Sequence, residues 1–160
     1  GDAAQRIASR AFMIEEFLAN EQRAGRLHLP LRPLADGARA LVHGHCHQKA
    51  FGAMGAVREV LALVPGLAVD VVDSSCCGMA GSFGYEAQHY DVSMRMAELS
   101  LLPAVRAASA GTFIVADGTS CRHQIADGTR RNPADDEDAR RPLHVVRVLA
   151  KALDRGHAPG

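Results

Sequence analysis

Four cysteines are the most chemically loaded residues in this chain of 160 residues. They are Cys46, the adjacent pair Cys76–Cys77, and Cys121, separated by residues 47–75 and 78–120. The pair opens the stretch SSCCGMAGSFG at 74–84. Neighbouring cysteines close only a strained disulfide ring, because the distance and dihedral demands of an S–S bond are narrow. A metal can draw both thiolates if the backbone bends beside them. Gly78, Gly81 and Gly84 supply that bend, since glycine reaches positive φ at no steric cost. They also let backbone N–H groups approach sulfur, and such hydrogen bonds tune a cluster's potential. Thiolates are soft ligands, which points to an iron–sulfur cluster or zinc and away from magnesium or calcium.

Histidines surround the same residues. His43, His45 and His47 alternate around Cys46, and His123 follows Cys121. Each is a candidate nitrogen ligand, hydrogen-bond donor to sulfur or proton carrier, or else a polar residue at a cofactor's edge. His45 and His47, with Gly78 and Gly81, form the expected cofactor-contacting set. Gln48 and Lys49 follow on the same segment. The blander alternative is four inert core cysteines, since free Cys packs well in interiors. A thiol–disulfide catalyst ranks last, because no C-x-x-C pair is present. GMAGSFG matches neither G-x-G-x-x-G nor the Walker pattern with its lysine.

The elements that must position these thiols can be read from hydrophobic spacing. Ile7, Ala11, Ile14 and Leu18 predict one amphipathic helix at the start. The stretch Leu27 to Gly37 is a connector with two prolines and a glycine. Ala40 to His43, Leu67 to Val72 and Thr112 to Ala116 read as short buried strands. Between them, Met54, Val57, Leu61 and Val64 carry one helical face, stopped by Pro65–Gly66. Val92, Met96 and Leu99 carry another, with Pro103 as a kink or restart. The charged run at 130–141 reads as a solvated surface loop. Pro142 is expected to open a last helix bearing Val145, Val148, Leu149 and Ala152.

Strands alternating with helices predict a three-layer α/β fold with a small, mainly parallel sheet and helices on both faces. Every cysteine then falls just past a strand. In such a sheet these positions share one edge, the carboxyl ends, where ligands bind. The four thiols are therefore expected to converge there as a metal site.

Composition narrows the function classes. The chain has 18 basic and 18 acidic residues. That balance gives no electrostatic reason to expect nucleic acid or an anionic membrane. No apolar run approaches the roughly 18 residues of a membrane span. The opening segment is charged throughout and lacks the apolar region of a signal peptide. A cytoplasmic chain, or one peripheral to the inner membrane, is expected. Clustered cysteines in a reducing compartment bind metal or do redox work more often than they form disulfides. The chain opens inside a helix without an initiator methionine, as a C-terminal piece of a longer protein would.

The pattern Cys46…Cys76-Cys77-Gly78…Cys121 resembles the cysteine-rich CCG domain. That domain occurs in a subunit of heterodisulfide reductase, in the iron–sulfur subunits of glycolate oxidase and anaerobic glycerol-3-phosphate dehydrogenase, and in lactate-utilisation proteins. The strings HGHCHQKAFGAMG, SSCCGMAGSFGYE and ADGTSCRHQI look most like the C-terminal part of FAD-linked oxidases of the D-lactate and D-2-hydroxyglutarate dehydrogenase kind. The resemblance implies that Cys46, Cys76, Cys77 and Cys121 are metal ligands, of a 4Fe-4S type cluster or, alternatively, of a structural zinc. Gln124 stands where the family pattern ends in a further cysteine. Residues 1–37 would be a helix and connector from a preceding domain, and 38–160 the cysteine-rich domain. FAD is expected only on an upstream domain. The implied partners are upstream flavin and ferredoxin-type domains or subunits and an electron acceptor such as a quinone. The implied role is the non-flavin part of an oxidoreductase, not catalytic alone.

Overall fold

The computed structural model describes residues 1–130 and 140–154. Among these, three strands form one parallel sheet: β1 (Arg39–His43), β2 (Ala68–Val71) and β3 (Phe113–Ala116), in the order β2-β1-β3. Parallel neighbours need long crossovers. From β1 to β2 the chain passes through α3 (Cys46–Ala50) and α4 (Met54–Ala62). From β2 to β3 it passes through α5 (Tyr90–Glu98) and α6 (Leu101–Ala107), and α7 (Thr119–Thr129) follows β3. The two crossovers run in opposite directions across the sheet. Right-handed connection therefore puts their helices on opposite faces.

The core divides accordingly. Side chains alternate along a strand, so Ala40 and Val42 of β1 face one layer and Leu41 faces the other. The first layer packs Val57, Val60 and Leu61 of α4 with Val145, Val148 and Leu149 of α8 (Val145–Ala152). The second packs Leu101 and Val105 of α6 with Ile125 of α7, and it includes Cys77 and Cys121. These two thiols thus extend one hydrophobic layer, which shields them from water. This is the expected three-layer α/β architecture.

Several local expectations are corrected. The start is two helices, α1 (Asp2–Ala8) and α2 (Ile14–Arg23), rather than one. Glu16 accepts a hydrogen bond from the Met13 backbone N–H at 2.9 Å and so starts a new helix. The buried residues of α2 are Glu15 and Ala19, while Ile7 and Ile14 are exposed. Helix α1 buries nothing, whereas α2 packs on α4.

Helix α5 turns Ser93 and Ala97 inward and leaves Val92 and Leu99 exposed. Small residues let it lie close to α6 and α7. Pro103 sits in the first turn of α6, where its missing N–H costs nothing.

Pro142 does not open the last helix. The backbone of Leu143 instead pairs with β3, donating to Ile114 O and accepting from Ala116 N. His144 then caps α8 by accepting from Val146 N at 3.3 Å. Most of the charged run, 131–139, lies outside the described residues. Among the described residues no helix is long and apolar enough to cross a membrane.

Candidate metal centre

Each strand delivers part of the site at its carboxyl end. His43 is the last residue of β1, and alternation puts it on the same face as Leu41, toward the layer holding the cysteines. Its Nδ1 lies 2.9 Å from Ser74 Oγ, just past β2. Lys49 of α3 ties the same loop down, donating to the carbonyls of Ser74 and Ser75. Cys46 is the first residue of α3, and Cys121 is in the first turn of α7.

The turn after Cys77 is built on positive φ. Gly78 has φ 96°, Gly81 has φ 70°, and Ala80 also enters this region at φ 41°. Gly84 does not. It is small for another reason: a Cβ there would stand 2.5 Å from Ser93 Oγ and 2.6 Å from Met79 Sδ. Gly118 is likewise a packing glycine, because a Cβ would overlap the His45 ring and reach 3.0 Å from Cys121 Sγ.

Among the described residues, one group of potential ligands has its donor atoms within 4.8 Å of one another: His43, Cys77 and Cys121. All three are buried, at 2%, 3% and 0% relative exposure. Cys46 and Cys76 form an outer pair. Cys46 is exposed and Cys76 partly buried. The two thiols are close enough to perturb each other, and both lie within electrostatic reach of Cys121. The backbone N–H of Gly78 donates to Cys76 Sγ at 3.4 Å.

Charge is unevenly shared within the inner group. Cys121 donates its S–H to Cys77, and this lowers the Cys77 thiol most. Burial opposes the shift, while the His43 imidazole and the Met79 backbone N–H reinforce it, and the result is about 4. The same hydrogen bond, then burial, pushes Cys121 well above the ordinary thiol range. Burial, followed by repulsion from Cys76, raises Cys46. The metal-free protein should therefore keep one thiolate above about pH 4 and protonate it below that. An ultraviolet thiolate titration checks this. One thiolate per chain titrating near pH 4, and absent in Cys77→Ser, is expected; a first thiolate appearing only in the alkaline range would contradict it.

His45 and His47 sit beside this group rather than in it. His45 Nδ1 caps α3 by accepting from His47 N at 3.3 Å, and its ring stands against Gly118. Burial, then the neighbouring His47, lowers the His45 imidazole. Both rings line a crevice of about 390 Å³ between the ends of β1 and β3, with Glu15, Gln48, Asp117 and His144. Gln48 Nε2 donates to Glu15 and, at 2.7 Å, to Asp117. This links α2 to both site loops. Gln124 is buried and donates to Ser93 O and Oγ, holding α7 on α5. His123 pairs with the Tyr85 hydroxyl at 2.6 Å on the surface.

His43 carries more of the site than its place among three alternating histidines suggests. The readable signal is strand parity: residues 41 and 43 share a face. A donor set of buried thiols and an imidazole with a bare Nε2 suits a thiolate-bound metal.

Fold and site together define a three-layer α/β domain with thiols and an imidazole gathered at the carboxyl edge of its sheet. The chain is similar to a subunit of the anaerobic glycerol-3-phosphate dehydrogenase of Escherichia coli K12. They are 32% identical over 127 residues, covering 78% of this chain and 28% of that protein. The counterpart from Escherichia coli O157:H7 matches to the same extent. D-2-hydroxyglutarate dehydrogenase of Escherichia coli K12 is 32% identical over 110 residues, covering 68% of this chain and 11% of that protein. The chain thus spans less than a third of the length of these curated relatives. No family model and no solved structure matches it.

Proposed function

We propose that this chain is an iron–sulfur electron-transfer domain, the C-terminal part of an FAD-linked D-2-hydroxy-acid dehydrogenase of the D-lactate or D-2-hydroxyglutarate kind. The observation that carries the reading is the gathering of four cysteines at one sheet edge, two of them buried beside a bare imidazole nitrogen. The dehydrogenase relatives support a redox role.

Cys46, Cys76, Cys77 and Cys121 would hold a 4Fe-4S type cluster, which supplies one-electron storage. The chain's own residues set the conditions. Met79, Leu101 and Ile125 wall the inner thiols from water. Backbone N–H groups of Gly78 and Met79 donate to Cys76 and Cys77 and disperse charge from sulfur. The positive φ of Gly78 and Gly81 lets the loop curl around the site. His45 and His47 would contact the cofactor from the crevice beside it. In this reading the FAD lies on an upstream flavin domain, with ferredoxin-type domains or subunits as partners. Residues 1–37 lead from that upstream part into the cysteine-rich domain at 38–160. The electrons pass onward to an acceptor such as a quinone, in the cytoplasm or at the inner membrane face. The domain is not catalytic alone.

Anaerobic reconstitution with iron and sulfide tests this. A visible band that bleaches with dithionite is expected, and a colourless product would sink the reading.

The second reading is a structural zinc site that closes a docking module. The tightness of the inner group favours it, since donors around one tetrahedral zinc stand roughly 3.5–3.8 Å apart. It predicts a colourless protein that unfolds with a chelator.

A further inference from the structure

The unexplained atom at the site is a nitrogen. His43 Nε2 is buried and makes no hydrogen bond of acceptable length and angle. Native proteins rarely leave such an atom bare, because an unmade buried hydrogen bond is costly. The other ring nitrogen is accounted for by Ser74 Oγ at 2.9 Å. Ser74 is itself fixed, through its carbonyl, by the Lys49 ammonium. With Nδ1–H donating to Ser74, Nε2 keeps a free lone pair. Metal-ligating histidines show this arrangement: the second nitrogen donates to a neighbour, which sets the tautomer and the ring orientation.

The alternative use of Nε2 is as an N–H donor to sulfur. A ring nitrogen of His43 lies within 4.8 Å of both Cys77 Sγ and Cys121 Sγ, and Nε2 makes no hydrogen bond. With Nδ1 occupied by Ser74 Oγ, Nε2 is the ring nitrogen left to share an ion with the two sulfurs.

We propose that His43 is a metal ligand through Nε2. It converges with Cys77 and Cys121 on one metal centre, while Cys46 and Cys76 complete the site from the solvent side. The centre is then mixed nitrogen–sulfur rather than all-thiolate. This rests on the reading that the thiols hold a metal, and the test separates the two.

The test is X-ray absorption fine structure at the edge of the metal found in anaerobically purified protein. Wild type, His43→Ala, His45→Ala and His47→Ala are compared. Imidazole scattering is expected in wild type, His45→Ala and His47→Ala, and its loss in His43→Ala. Metal bound with sulfur scattering alone in wild type would overturn the inference and leave the metal site standing. Scattering that survives in His43→Ala would overturn it too. A wild-type protein that takes up no metal, even on reconstitution, would overturn both. If His43→Ala fails to fold, the wild-type spectrum still decides against the inference when nitrogen is missing. When nitrogen is present, free imidazole added during folding of His43→Ala should restore metal content. No restoration would count against the inference.

Discussion

Cys77→Ser should abolish stable metal binding, weakening affinity by more than about 100-fold, since changes merely to groups supporting a ligand cost about 10–100-fold. Cys77 is the natural anchor of the site. It is buried, it receives the Cys121 S–H, and it is the thiol held as thiolate near neutral pH. Only the thiolate is a good ligand, so Cys77 needs no proton removed before metal arrives. A serine hydroxyl is harder and scarcely ionises in this range. The substitution also replaces the thiolate that accepts the Cys121 S–H with a neutral hydroxyl, a weaker acceptor. Cys46→Ser, at the exposed edge, should lose less. Metal content per chain, measured after anaerobic purification of each variant, provides the comparison. Full iron and normal electron transfer in Cys77→Ser would refute the proposed function.

Gly78→Ala should destabilise the fold by more than about 3 kcal/mol, in the class of effects that arise from a forbidden backbone conformation plus overpacking. The residue has φ 96°, which side-chain-bearing residues rarely adopt. A Cβ would also overlap the Ser93 carbonyl oxygen and stand 2.9 Å from Gln124 Nε2. The first obstacle is backbone of α5 and cannot rotate aside. Moving it would break the Gln124 hydrogen bonds that join α5 to α7. Gly81 supplies the control. It has φ 70° but nothing within 4 Å of an added Cβ. Gly81→Ala should therefore cost only the left-handed penalty of about 1–2 kcal/mol. Urea unfolding of the two variants measures the difference. Equal midpoints would mean that the Ser93 contact yields easily.

Much of this organisation is legible in the sequence, and the parts that are not have physical causes. The strands are short apolar runs separated by clear stops such as Pro65–Gly66, so their alternation with helices can be read. From alternation follows the parallel sheet, and from the sheet follows the common edge for Cys46, Cys76, Cys77 and Cys121. The imidazoles are harder. His43, His45 and His47 differ only in where β1 stops. As the last strand residue, His43 inherits the inward direction of Leu41, while His45 begins the loop and spends its Nδ1 on a helix cap. A strand end two residues later would give His45 the inward direction. The faces of α5 are hidden for a different reason. Ser93 and Ala97 are buried because a neighbouring helix approaches closely, and an apolar-periodicity argument favours the larger Val92 and Leu99 instead. Gly84 belongs to the same class, because its smallness answers Ser93 and Met79 rather than any local turn.

The most direct measurement is metal content. The protein would be purified without air, and iron, acid-labile sulfide and zinc determined on one sample. Iron and sulfide in similar amounts, a visible band that dithionite bleaches, and negligible zinc are expected. A colourless sample holding about one zinc per chain would contradict the proposed function, making the site structural and placing the redox chemistry wholly outside this domain.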